Sequence, residues 1–369
     1  MATLITPFLR DRFLHLLVVL GIVLGCFARF QWRELPGAVD WHTIITLCGL
    51  LLVTKGIESS GYFDLLGQRL IQRFNQQRTL ALFLVAAAAL LSTFLTNDIA
   101  LFILVPLTLS LRQFSTLPVS RLIIFEALAV NAGSLLTPVG NPQNILLWGR
   151  GDTSFVGFML QMLPLAVSMV AILLVLTWFS FSHRTIERHD NMTTPQWQKG
   201  MLWLSIALYL LFVVALELKL TGWALLLVIA CFALRARRVL LALDWSLLAV
   251  FIVMFVDVWL FMRLPQLQGL VQQVAHASDA VHFFAAIGLS QVISNVPATI
   301  LMIQIVPASV SLAWAVNIGG FGLLPGSLAN LIALRMAKDK AIWWRFHLFS
   351  VPMLFIAIAV GWLLLKALH

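Results

Sequence analysis

Two stretches of this chain interrupt apolar surroundings with one polar pattern, and they limit the folds open to it. Asn131–Asn144 carries three Asn, one Gln, two Pro and two Gly. Asn317–Asn330 repeats it 186 residues later, matching Asn131 to Asn317, Gly133 to Gly319 and Asn144 to Asn330. Pro138 and Pro325 fall within one position of each other in this register. Pro lacks the donor that a helix interior needs, and Gly lowers helix stability. Each stretch therefore predicts a helix that stops and restarts, and together they predict an internal duplication.

The surroundings are those of a lipid-embedded chain. Of 369 residues, 61% are hydrophobic and 11% charged, and mean hydropathy is +0.98; soluble domains carry about 25% charged residues. Segments long enough for a ~30 Å hydrocarbon core are predicted at 13–30, 40–58, 118–150 (broken), 154–182, 200–217, 220–236, 241–262, 309–334 (broken) and 344–367. Two more, 79–112 and 280–306, hold polar residues near their middles, at Ser92–Asp98 and Ser290–Pro297. They predict re-entrant hairpins, whose irregular backbone is tolerated only inside protein or against a watery cavity.

The net charge of +9 does not point to nucleic acid, because the basic residues are spread between the apolar segments. With the N-terminus cytoplasmic, nine spans and two hairpins leave only Arg29, Arg33, Arg150, Lys219, Arg263 and Lys366 outside, of 24 Lys and Arg. That is the positive-inside bias. The expectation is a multi-pass protein of the bacterial cell inner membrane, with a periplasmic C-terminus. Cys26, Cys48 and Cys231 lie in apolar segments at unrelated spacings and read as small buried hydrophobes.

The duplication sets the domain plan. A first repeat covers 1–182, with an N-terminal span, hairpin 79–112 and broken helix 118–150. A cytoplasmic linker covers 183–199, and a second repeat covers 200–369, with hairpin 280–306 and broken helix 309–334. The extra span at 200–217 turns the second copy over. Asp40-Trp41 and Asp244-Trp245 open corresponding spans, each followed by an amphipathic stretch, Tyr62–Phe74 and Leu264–Ala275. The fold class is an all-α polytopic membrane protein of inverted repeats, each with a re-entrant hairpin and a broken transmembrane helix. Inverted repeats with discontinuous helices are the signature of secondary transporters.

A break leaves free carbonyls at the end of one half-helix, which suit a cation. It leaves free N–H groups at the start of the next, which suit an anion. Asn141 followed by Pro142, and Ser327, are predicted N-caps at the two restarts; Thr96 or Asn97, and Ser294, are predicted caps at the hairpin tips. Asp98 is the sharpest ionisable candidate, a carboxylate at membrane depth that reads as an ion ligand or proton carrier. Glu126 and Asp257 also lie in spans and read as structural, or as members of a buried pair or relay. Metal-protease His spacing, a nucleophile elbow and a phosphate-binding loop are all missing from the sequence. An enzyme is not expected, nor any cofactor beyond Na⁺ or H⁺ as coupling ion.

Thr96-Asn97-Asp98 and Ser294-Asn295-Val296, each followed by a Gly/Pro/Asn-rich break, resemble the ion transporter superfamily. That group includes dicarboxylate/sodium symporters, citrate–metal transporters, arsenite efflux permeases and sodium/proton antiporters. The resemblance runs from about residue 40 to 367. It implies a homodimer that works by elevator-type alternating access, with substrate and cations between hairpin tips and helix breaks. Carried over residue by residue, it implies one cation site at Ser92 or Thr96, Asn97, Gly133, Thr137 and Asn141, with Asp98 beside it. A second would lie at Ser294, Asn295, Gly319, Gly320 and Pro325, mostly through backbone carbonyls. Asn131, Asn144, Asn317 and Asn330 would stand behind these ligands. Substrate would sit between Asn97, Thr137, Pro138, Asn295 and Pro325. Dicarboxylate symporters carry Ser-Asn-Thr at both tips, whereas this chain has Asn-Asp at one and Asn-Val at the other; some other small anion or an oxyanion is expected. The expected partners are that anion, the lipid bilayer and a second copy of the chain. A cation/proton antiporter, a metalloid oxyanion exporter and a passive channel are the alternatives.

Overall fold

Several helix starts in this chain are set by side chains that accept orphaned backbone N–H groups. In the computed structural model, which describes residues 8–9, 11–151, 153–188, 196–218, 220–265, 269 and 273–368, α1 (Arg12–Phe27) begins where Asp11 accepts from Phe13 and Leu14. Then follow α2 (Trp41–Ser59), α3 (Tyr62–Arg73), α4 (Gln77–Phe94), α5 (Asn97–Ser110), α6 (Val119–Ser134), α7 (Pro142–Arg150) and α8 (Phe155–Ser180). The second half continues with α9 (Lys199–Glu217), α10 (Thr221–Arg235), α11 (Trp245–Met262), α12 (Asp279–Ile293) and α13 (Asn295–Met302). It ends with α14 (Val310–Ile318), α15 (Leu328–Met336) and α16 (Ile342–Leu368).

The duplication is visible in atomic detail. Asp40 accepts the Thr43 N–H at 3.1 Å and caps α2, and Asp244 accepts the Leu247 N–H at 3.2 Å and caps α11. In both places the indole of the following Trp donates to the carbonyl five residues back: Trp41 to Pro36 at 2.8 Å and Trp245 to Leu240 at 3.1 Å. The hairpin 79–112 is α4 and α5, and the hairpin 280–306 is α12 and α13. The broken helix 118–150 is α6 and α7, and 309–334 is α14 and α15. Helices α7 and α15 have the same length, nine residues, and sit in the same 186-residue register.

The chain divides into two compact units. One is Met1–Phe63 with Pro195–Val271; the other is Asp64–Thr194 with Gln272–His369. In the first, α11 packs on α1, and α9 and α10 pack on α2. Phe212 of α9 lies over Gly49, and Ser205 and Phe232 lie over Gly56, so two small positions of α2 admit bulky neighbours. The second unit holds both hairpins and both broken helices, wrapped by α8 and α16.

Among the described residues four helices, α4, α8, α11 and α16, are long and apolar enough to cross a membrane, and α2 makes a fifth with the preceding segment Trp32–Ala38, bent 51° from it. Helices α1, α10 and α12 are apolar but shorter, as is the stretch Lys199–Ala215 of α9. The predicted amphipathic stretch Tyr62–Phe74 is α3; half of its counterpart Leu264–Ala275 lies outside the described residues. The described part of the linker is held in place. Thr185 and Arg188 make antiparallel bridges to Gln76 and Ser115, and Ile186 N–H donates to the Asn75 carbonyl at 2.8 Å.

Candidate functional site

Helix α6 stops at Ser134, and the chain runs through a non-helical turn before α7 restarts at Pro142. Asn141, in extended backbone, accepts the Asn144 N–H at 2.9 Å; Pro142 at the first helical position has no N–H to satisfy. In the second copy α14 stops at Ile318, a 3₁₀ turn forms at Leu324–Gly326, and Ser327 accepts the Ala329 N–H at 3.3 Å. Both predicted break caps therefore form.

The tips behave differently. Thr96 and Ser294 occupy the cap positions of α5 and α13, but neither makes a side-chain cap bond. Asn97 turns its amide oxygen to the adjacent Asp98 N–H at 2.8 Å. Its own N–H donates to the Gly140 carbonyl at 3.0 Å, tying the first tip to the first break. Ser294 has φ +74° and ψ 154°, a backbone region adopted almost only by glycine.

Four asparagines clasp the two breaks. The Asn131 amide donates to Asn330 Oδ1 at 2.8 Å, and the Asn317 amide donates to Asn144 Oδ1 at 2.7 Å. The remaining bonds repeat the crossing: Ser327 Oγ donates to Asn131 Oδ1 at 2.9 Å, and Asn141 Nδ2 to Asn317 Oδ1 at 3.0 Å. Residues 186 apart thus exchange equivalent partners, as two copies related by a local two-fold do. All six are buried.

This network also occupies carbonyls that the sequence left bare. Asn144 Nδ2 lies 3.2, 3.1 and 3.0 Å from the carbonyls of Ser134, Leu135 and Thr137. Asn330 Nδ2 donates to the Gly320 carbonyl at 3.0 Å. The Ser134, Thr137 and Gly320 carbonyls each take a second donor as well, from Asn141 Nδ2, the Gly140 N–H and Asn131 Nδ2.

The hairpins dock on the carbonyls just before these in the chain, through residues that sequence reasoning did not place in the site. Thr93 Oγ1 donates to the Gly133 carbonyl at 3.1 Å, and Gln291 Nε2 to the Gly319 carbonyl at 2.8 Å. Thr93 and Gln291 are 198 residues apart, as are Ser92 and Ser290, Thr96 and Ser294, and Asn97 and Asn295. That shared offset is the signal that could have found them. Thr137 Oγ1 returns a bond to the Thr93 carbonyl at 2.8 Å. Gly133 and Gly319 are obligatory here, since a Cβ would run into the Ala89 carbonyl in one copy and the Ser290 side chain in the other.

The structure thus gathers Ser92, Asn97, Gly133, Thr137 and Asn141 at the first break, and Ser294, Asn295, Gly319 and Gly320 at the second. The Asn295 amide nitrogen and Asn131 Oδ1 flank Gly320 within 3.5 Å of where its Cβ would stand. Pro138 is buried in the first break, whereas Pro325 is exposed. Asp98 lies in the first turn of α5, and its Oδ1 has no hydrogen-bond partner among the described residues. Helix α13, after the second tip, packs on α7, and α15 packs on α5. Each tip helix therefore meets the restart of the opposite repeat.

Residues 4–313 match the family described as citrate transporter. The chain belongs to the citrate transporter family. It is accordingly a membrane transporter. It is 58% identical to the inner membrane protein YbiR of Escherichia coli over 366 residues, 98% of both chains. It is 28% identical over 342 residues to an uncharacterised transporter of Methanocaldococcus jannaschii, covering 92% of this chain and 93% of that one. A shorter match, 30% over 149 residues and 39% of this chain, is to the silicon efflux transporter LSI3 of rice, 31% of which it covers.

Proposed function

We propose that this transporter moves a small anion through the bacterial inner membrane, driven by Na⁺ or H⁺. In this reading the repeats 1–182 and 200–369 lie inverted across the linker 183–199, the N-terminus is cytoplasmic, and two copies assemble as a dimer with elevator-type access. The crossed Asn131–Asn330 and Asn317–Asn144 bonds carry the proposal. They hold two helix restarts, each with partially positive N–H groups, beside the carbonyl-bearing ends of the preceding half-helices. An anion takes the first and a cation the second. Cation binding at Asn97, Thr137 and the Gly133 carbonyl closes the first hairpin on its break and completes the anion site with Asn295.

The family description puts citrate first among probes, with arsenite and silicic acid after it. Purified protein in liposomes should accumulate one of them under an imposed Na⁺ or pH gradient. Uptake that follows only the pH gradient would remove Na⁺ from the mechanism, and a large unitary conductance would replace the carrier with a channel.

A second reading, proton-coupled exchange, is favoured by the partnerless Oδ1 of Asp98. Asp98→Asn abolishes pH-linked transport in that case, and leaves a Na⁺-driven symporter partly active.

A further inference from the structure

Helix α6 carries a second carboxyl that the clasp does not use. Glu126 is fully buried, five residues before Asn131, about 7.5 Å along the helix by the rise per residue. Thr108 Oγ1, from the return helix of the first hairpin, donates to Glu126 Oε1 at 2.5 Å. Glu126 Oε2 has no hydrogen-bond partner among the described residues. A lone carboxylate oxygen without water or a counter-charge costs several kcal/mol at such depth. The second repeat has no equivalent, since the matching positions are Leu312 and Val306.

Charged and titratable groups on every helix packed against α6 are accounted for. On α4, Arg78 donates to the Phe181 carbonyl at 3.0 Å; on α5, Asp98 is ten residues, about 15 Å, from Thr108. Helix α8 has none. On α16, Arg345 lies near Asp339, His347 sits between Trp343 and Leu324, and Lys366 covers the Trp362 ring. Arg121 of α6 itself donates to the Ser180 carbonyl at 2.7 Å. Helices α6 and α15 run antiparallel, with Asn131 opposite Asn330 and Ser120 opposite Asp339, so Arg335 falls at the depth of Glu126. Yet no ion pair forms between them among the described residues.

We propose that Glu126 is a proton-binding site of the first repeat, separate from the tips and breaks, whose occupancy is read by the hairpin through Thr108. With a proton on Oε2 the carboxyl is neutral and its bond to Thr108 holds α5 against α6. Without it, a buried anion is left with the Thr108 hydroxyl as its partner, and the contact with the hairpin changes. The role in transport rests on the carrier reading above; the proton itself does not.

Infrared spectroscopy of the full-length protein in lipid nanodiscs tests this directly, by titrating carboxyl bands in ¹H₂O and ²H₂O. The expected result is a protonated-carboxyl C=O band that shifts on deuteration, is lost in Glu126→Gln, and survives in Asp98→Asn and Asp257→Asn. Thr108→Val should move that band to higher frequency, which serves if Glu126→Gln fails to fold. A band unchanged in Glu126→Gln, or unmoved in Thr108→Val, overturns the proposal whether or not a substrate has been found. In liposomes that transport a probe, Glu126→Gln should lose the dependence on the pH gradient. Retention of that dependence would overturn the coupling role and leave the carrier reading intact.

Discussion

Asn131 and Asn330 join the end of one broken helix to the restart of the other across 2.8 Å, deep in the protein. Their counterparts Asn317 and Asn144 do the same in the opposite sense at 2.7 Å. Two neutral amides bonded this way fix the distance and rotation between the breaks without placing a charge at bilayer depth. A satisfied buried polar network of this kind selects one arrangement of the core.

Removing one partner should expose that role. Asn131→Ala leaves Asn330 Oδ1 and the Ser327 hydroxyl without their partner, at a cost of about 1–3 kcal/mol. Asn330→Ala should cost a similar amount, and the double variant much less than both together, because the pair is one interaction. Thermal melting in detergent across the cycle checks this. Additive losses would mean that the amides act independently.

Acid should loosen the N-terminal end of α6. Asp339 Oδ2 accepts the Ser120 hydroxyl at 2.6 Å, which holds its carboxyl below the usual carboxylate range, helped by the Ala341 N–H, Arg345 and Arg112. A depressed folded value means that this contribution is fully present above the ordinary carboxylate pKa and is lost as pH falls through the folded one. The Tm of wild type should therefore drop on acidification through that window. Asp339→Asn should begin lower at neutral pH and show a shallower acid limb. Parallel acid limbs would show that Asp339 contributes nothing to it.

Much of this architecture is legible in the sequence because lipid leaves so few options. An unsatisfied backbone is tolerable only where the protein itself covers it. Hence Pro142 and Gly133 within an apolar run mark the first break to within a few residues. Asn141 and Ser327 were legible as caps because they precede the restarts, where orphan donors must be met. The tips were not, because Thr96 and Ser294 share that sequence pattern while their side chains face elsewhere. Nor were the docking bonds of Thr93 and Gln291, since both depend on how two helices approach in space. The partners of the asparagines were also hidden: duplication pairs Asn131 with Asn317, whereas the structure bonds it to Asn330.

Ser294 should separate stability from transport. Its φ of +74° strains any residue with a Cβ. Ser294→Gly removes about 1–3 kcal/mol of strain and adds about 0.5–1 kcal/mol of unfolded-chain entropy, so a net gain in Tm is expected. The hydroxyl proposed to face the second cation site is lost at the same time, so uptake in liposomes should weaken as the melt rises. A fall in both would show that the serine side chain holds the tip together.

The two hairpin–break contacts should respond differently to one substitution. Gly319→Ala places its Cβ against the Ser290 side chain, which can be trimmed. Gly133→Ala places its Cβ against the Ala89 carbonyl as well as Ser92 Oγ, and a backbone carbonyl cannot be trimmed. Either alone should destabilise the protein and impair transport, because overpacking of a close contact costs about 1–3 kcal/mol. Adding Ser290→Gly should restore much of the Gly319→Ala melt, whereas adding Ser92→Gly should leave Gly133→Ala impaired. Equal rescue in both copies would show that Ala89 gives way, and that the first hairpin is held less tightly than its geometry requires.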